Sequence, residues 1–104
     1  MLIELAHKLG YNFKPEPNYL SSLHKFIRDK YGYNVLVLSF VEPSELEVCY
    51  YFQIMNLRKY SDVIFEDEFE HKYPDNFSEY DECLEAGLLE TLLIVENAIL
   101  NPVL

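Results

Sequence analysis

Glycine is scarce. The chain of 104 residues has three, at positions 10, 32 and 87, each isolated from the others. Phosphate-binding loops need glycines in close succession so that the backbone can approach the anion. Nucleotide binding through such a loop is therefore excluded, and no cofactor is expected. Cysteine is nearly absent as well. Cys49 and Cys83 form no CxxC pair and have no clustered histidine, which argues against a disulfide framework and against zinc. They read as ordinary thiols of a reducing compartment. Long apolar runs are missing too. The richest, Leu88 to Leu100, contains Glu90, Glu96 and Asn97 and is too short to span a bilayer. Glu4, His7 and Lys8 interrupt any apolar stretch at the N-terminus that would serve as a signal peptide. A cytoplasmic location is the expectation.

Positive charge is missing from one half only. Residues 1–60 hold seven Lys/Arg and six Asp/Glu, whereas residues 61–104 hold twelve Asp/Glu and Lys72 alone, a net of −11 there against −10 for the chain. A field of that sign repels phosphate backbones and attracts a basic protein or a cation. What the chain does have is core material: half its residues are hydrophobic and 15% aromatic, with nine Tyr and seven Phe. Tyrosine buries its ring while keeping its hydroxyl wet, so many should sit at the margin of the core. The length fits one domain, residues 1–104.

Leu2, Leu5, Ala6 and Leu9 recur at helical spacing, with Gly10 as the stop. Pro15 and Pro17 mark a connector. Leu20, Leu23, Ile27 and Tyr31, with Phe26 beside them, predict a second helix over about 19–31, closed by Gly32 in a left-handed cap. The period then changes. Val35 to Val41 is apolar apart from Ser39 and predicts a strand with both faces covered. Glu42-Pro43-Ser44-Glu45 is a turn. Leu46, Val48, Tyr50, Phe52 and Ile54 alternate with Glu47, Cys49, Tyr51, Gln53 and Met55, which predicts an amphipathic strand paired with its predecessor as a hairpin. Val63, Phe65 and Phe69 suggest a third, edge strand, blunted by its acidic neighbours. Ser78 as N-cap, with Asp81 three residues on, predicts a last helix over about 79–100, ended by Asn101-Pro102. Its stripe is Leu84, Leu88, Thr91, Leu92, Val95 and Ile99. Leu89, Leu93 and Ile94 lie off that stripe and need a cover, either the first helix or a second copy of the chain. Gly87 reads as a point of close packing on the sheet. The expected fold is α+β: an antiparallel two- to three-stranded sheet with helices on one face, in the order α-α-β-β-(β)-α.

Chemistry is harder to find. The run Glu66-Asp67-Glu68-Phe69-Glu70-His71 invites a metal, but an EF-hand loop needs glycine at its sixth position. Counted from Asp67 that position is Lys72, so no metal site is expected. His7, His24 and His71 are framed by no serine or cysteine motif, and nucleophilic catalysis needs a base within hydrogen-bond reach of the nucleophile. No catalytic residue is assigned. Lys25, Arg28, Lys30, Arg58 and Lys59, interleaved with Tyr31, Tyr33 and Tyr60, form the one conceivable nucleic-acid surface. The order α-β-β-β-α is also that of the double-stranded-RNA-binding domain. The last helix here, however, lacks the basic residues that grip phosphates, so nucleic acid is not the expected partner.

Two segments carry a resemblance. His24-Lys25-Phe26-Ile27-Arg28-Asp29-Lys30-Tyr31-Gly32-Tyr33-Asn34-Val35 forms a helix-to-strand junction. Phe77-Ser78-Glu79-Tyr80-Asp81-Glu82-Cys83-Leu84-Glu85-Ala86-Gly87-Leu88-Leu89-Glu90 opens the last helix. Together they resemble a family of small proteins of Bacteroides-type bacteria, often phage- or prophage-associated and of unknown function. Here the leading Trp of the family's first pattern is absent and Cys83 replaces its usual Ala. The resemblance implies a fold and no activity. The expected function is a non-enzymatic protein-interaction domain. It would present an acidic surface of Glu66, Asp67, Glu68, Glu70 and Asp75 to a basic protein partner, with a homodimer face at Leu89, Leu93 and Ile94. The alternatives are a small hydrolase or ligand-binding domain, and an acidic mimic of nucleic acid.

Overall fold

A computed structural model describes residues 2–12, 19–44, 46–57, 62–66 and 77–100, the segment 62–66 by its backbone alone. Three helices and three strands follow in the order α1 (Leu2–Lys8), α2 (Tyr19–Tyr31), β1 (Tyr33–Glu42), β2 (Glu47–Asn56), β3 (Asp62–Glu66) and α3 (Tyr80–Leu100). The strands form one antiparallel sheet in the order β1-β2-β3. This is the expected α+β arrangement, and the third strand is present over Asp62–Glu66. Phe69 lies outside the described residues.

The helices form and stop where local chemistry dictates. α2 buries Leu23 and Ile27 on the side that also holds Leu20 and Tyr31. It ends at Gly32, whose φ of 77° is a left-handed cap, with N–H bonds back to Ile27 and Arg28. α1 ends the same way at Gly10, φ 104°. α3 starts one residue later than the sequence suggests. Cys83 N–H donates to the Glu79 carbonyl, which makes Glu79 the N-cap in place of Ser78. Asp81 and Glu82 still occupy the first turn, where the helix dipole favours negative charge.

Packing follows from these stripes. Phe52 and Ile54 of β2 and Val35 of β1 meet Leu84, Leu88, Leu92 and Val95 of α3 and Leu23 and Ile27 of α2 in one buried cluster. Each such side chain contributes about 1.5–3 kcal/mol by leaving water. Gly87 lets α3 settle onto the sheet: a Cβ there would lie 2.6 Å from Val35 Cγ1 and 3.2 Å from the Phe52 ring. Thr91, fully buried on α3, returns its hydroxyl to the Gly87 carbonyl at 2.7 Å, which gives that hydroxyl a partner. α1 closes the far side of α3. Leu2, Leu5 and Ala6 are buried, and Lys8 Nζ reaches Glu96 Oε2 at 2.8 Å. α1 is held to α2 by the Tyr31 hydroxyl, which donates to the Leu9 carbonyl at 2.6 Å, and by the Tyr11–Phe26–Tyr31 ring stack.

Two expectations need correction. Among the described residues, helices pack on one face only of the strand from Val35 to Val41: Val35 is buried, whereas Leu36 on the other face is exposed. No described helix lies on its other side. Leu46 is not a strand residue. It sits in the hairpin turn at φ 57° and is 81% exposed, and its N–H donates to the Glu42 carbonyl. Val48 is likewise half exposed, because the hairpin projects beyond the helices.

Candidate interaction surface

Side chains alternate along a strand, and the burial of Phe52 and Ile54 fixes which face of β2 meets the helices. The opposite face is then built by Leu36, Leu38 and Phe40 of β1 and Cys49, Tyr51, Gln53 and Met55 of β2, matched across the ladder as Leu36–Gln53, Leu38–Tyr51 and Phe40–Cys49. The Phe40 and Tyr51 rings lie 5.9 Å apart on it. None of these side chains is charged, and none is fully buried. No described element packs on them.

Carboxylates border this face at the hairpin. Glu42 and Glu47 stand directly opposite each other across the ladder, a like-charge pairing that costs stability. Part of that cost is offset where Ser44 donates both its hydroxyl and its N–H to Glu42 Oε1, at 2.7 and 3.0 Å. These bonds hold the Glu42 carboxyl below the usual carboxylate range. The start of α3 lies toward the same end, since Tyr50 pairs with Phe77 through two backbone bonds and its ring meets Tyr80. It adds exposed Glu79, Asp81, Glu82 and Glu85. Every described Lys or Arg lies instead on α1 or α2: Lys8, Lys25, Arg28 and Lys30. Among the described residues, the cations and the hairpin carboxylates thus sit on different elements.

The expected site residues divide. Glu66 closes β3, opposite Gln53. Asp67, Glu68, Glu70 and Asp75 lie outside the described residues, as do Arg58 and Lys59 of the basic patch. Leu89, Leu93 and Ile94 are half-buried and pack against the core, with Leu93 facing Leu5 and Lys8 of α1 across a shallow hollow. The first helix therefore supplies cover for that side of α3. That no described element packs on the sheet's outer face was missed in the sequence, because an apolar run reads identically whether one side or both are covered.

Two other features carry chemistry. His24 of α2 is a link in the fold: its Nε2 lies 2.9 Å from Asn34 Oδ1 and accepts from Val35 N–H at 3.2 Å. Burial lowers its pKa, opposed by the bond with Asn34 and assisted by the charge of Arg28. A hollow of about 370 Å³ lies among the C-terminal ends of the three helices, lined by Lys8, Leu9, Lys30, Tyr31, Glu96 and Ile99. Lys30 there rests over the Phe26 and Tyr31 rings, 5.4 Å from each centroid. No helix among the described residues is long and apolar enough to cross a membrane. No protein-family model, curated protein or solved structure matches the chain.

Proposed function

We propose that the chain is a non-enzymatic protein-interaction domain that docks a basic protein on the outer face of its sheet, the face away from the described helices. The observation that carries this reading is the uncharged face of Leu36, Leu38, Phe40, Cys49, Tyr51, Gln53 and Met55, bordered at the hairpin by Glu42 and Glu47 in a chain of formal charge −10. Interfaces between proteins combine a charge-depleted centre with a polar rim. The described rim at the hairpin is acidic, so the fitting occupant has an apolar centre bordered by Lys and Arg. The resemblance to phage-associated proteins suits a small protein that acts by binding.

The test compares capture by the parent chain with capture by two variants in extracts of the native host. A basic protein should be retained by the parent chain. Leu38→Lys should lose it, and Glu85→Gln, on the helix side, should keep it. Equal retention by all three would contradict the reading.

A second reading, small-ligand binding, has its support in the hollow among the helix ends, where apolar walls meet Lys8, Lys30 and Glu96. An amphiphilic carboxylate is the ligand class that matches such a lining. Titration with octanoate, followed through the Ile99 and Leu9 methyl resonances, tests it: saturable shifts support it and unmoved resonances refute it.

A further inference from the structure

Leu57 N–H donates to the Gly32 carbonyl at 2.8 Å just before the ladder begins. Hydrogen-bonded positions alternate along an antiparallel pair. Asn34, Leu36, Leu38 and Phe40 therefore turn their backbone groups toward β2, while Val35, Val37, Ser39 and Val41 turn theirs away. The bond from Val35 N–H to His24 Nε2 agrees with this phase. β1 is one of the two outer strands, so these outward groups form one edge of the sheet. On the other side, β2 is matched by β3 and by Phe77. The outward backbone groups of Val37, Ser39 and Val41 have no hydrogen-bond partner among the described residues.

Exposed edges are normally guarded by short length, lysine, proline or a bulge. β3 has such guards: it is five residues long, begins and ends with Asp62 and Glu66, and pairs with a register shift. β1 has none. It runs for ten residues in unbroken register, with no charged side chain from Tyr33 to Val41.

We propose that the β1 edge pairs antiparallel with β1 of a second copy, joining the two sheets into one. His24 sets the register. It occupies the Val35 N–H, which leaves Val37, Ser39 and Val41 as the pairing positions. Ser39 then meets its own counterpart at the two-fold axis, and Val37 meets Val41 of the second copy. The strands contribute no charge to this seam. The same register carries the hairpin end, with Glu42, toward the second copy's α2, where Arg28 stands one turn beyond His24. The acidic end of one copy thus meets the basic helix of the other. The pairing does not depend on what occupies the outer face, whose apolar side chains it would set side by side.

Light scattering with size-exclusion chromatography over a concentration series tests the seam. The parent chain should run at twice 12.3 kDa. Ser39 is exposed, so Ser39→Lys and Ser39→Glu should each fold, while like charges on the axis weaken association about tenfold or more. An equal mixture of the two variants should regain the dimer. A parent chain of monomer mass at every concentration would overturn the proposal, as would a dimer that both variants leave intact. If the variants fail to fold, hydrogen exchange of the parent chain decides. Protection of the Val37, Ser39 and Val41 amides that rises with concentration supports the seam, and amides exposed throughout refute it.

Discussion

Leu46 holds a backbone conformation that L side chains adopt at a cost of about 1–2 kcal/mol, and it packs on almost nothing in return. Leu46→Gly should therefore stabilise the chain by roughly 0.5–1 kcal/mol, the strain relieved less the added freedom of the unfolded state. Urea unfolding would register this as a higher midpoint at unchanged slope. Gly87 is the converse. Alanine is the better helix former by about 1 kcal/mol, but its methyl would have to displace Val35 and the Phe52 ring. Gly87→Ala should thus destabilise by about 1–2 kcal/mol net, the strain of overpacking exceeding the gain in propensity; thermal unfolding measures it. The sequence allows the second of these arguments and hides the first. An isolated glycine between Ala86 and Leu88 in an apolar helix already suggests close approach, whereas Leu46 merely continues the alternation of Val48 and Tyr50. A positive φ leaves no mark in a pattern of hydrophobicity.

Among the elements, the junction of α2 with β1 depends on one imidazole. A single Nε2 atom cannot accept from Val35 N–H and donate to Asn34 at once, and protonation forces the second choice. Because the folded-state pKa of His24 lies below its ordinary value of 6.5, the unfolded chain takes up the proton first as pH falls. The stability contributed by neutral His24 is complete above about pH 6.5 and declines as pH drops toward the folded-state pKa. Chemical denaturation between pH 7.5 and about 5 should show this decline, and His24→Gln should flatten it. The sequence places His24 on the helix but does not disclose that its partner is the strand's own backbone. For β1 itself, hydrophobicity predicts the strand correctly and its surroundings incorrectly. The segment Val35–Val41 is apolar enough for a buried strand, yet the chain places its helices on one face of the sheet. The last helix is the opposite case: Leu89, Leu93 and Ile94 signal a need for cover, and α1 meets part of it.

Across the whole molecule, the described cations gather on α1 and α2, while carboxylates dominate the hairpin and the start of α3. The sequence shows an imbalance by position along the chain, its acidity concentrated in residues 61–104, and does not disclose that Glu42 and Glu47 of the near-neutral half face each other across the hairpin. The exposed Lys8–Glu96 bridge contributes little to this arrangement, with Lys8 about two-thirds exposed. Lys8→Met should change stability by less than about 1 kcal/mol in thermal unfolding. On the function proposed above, a basic protein binds on the outer sheet face. Site-specific photocrosslinking in the native host tests it most directly, with a benzophenone side chain placed at Tyr51 in one sample and at Glu85 in another. Adducts to a basic protein that form from position 51 and not from position 85 are the predicted result. Adducts from position 85 alone, or from neither, would contradict it.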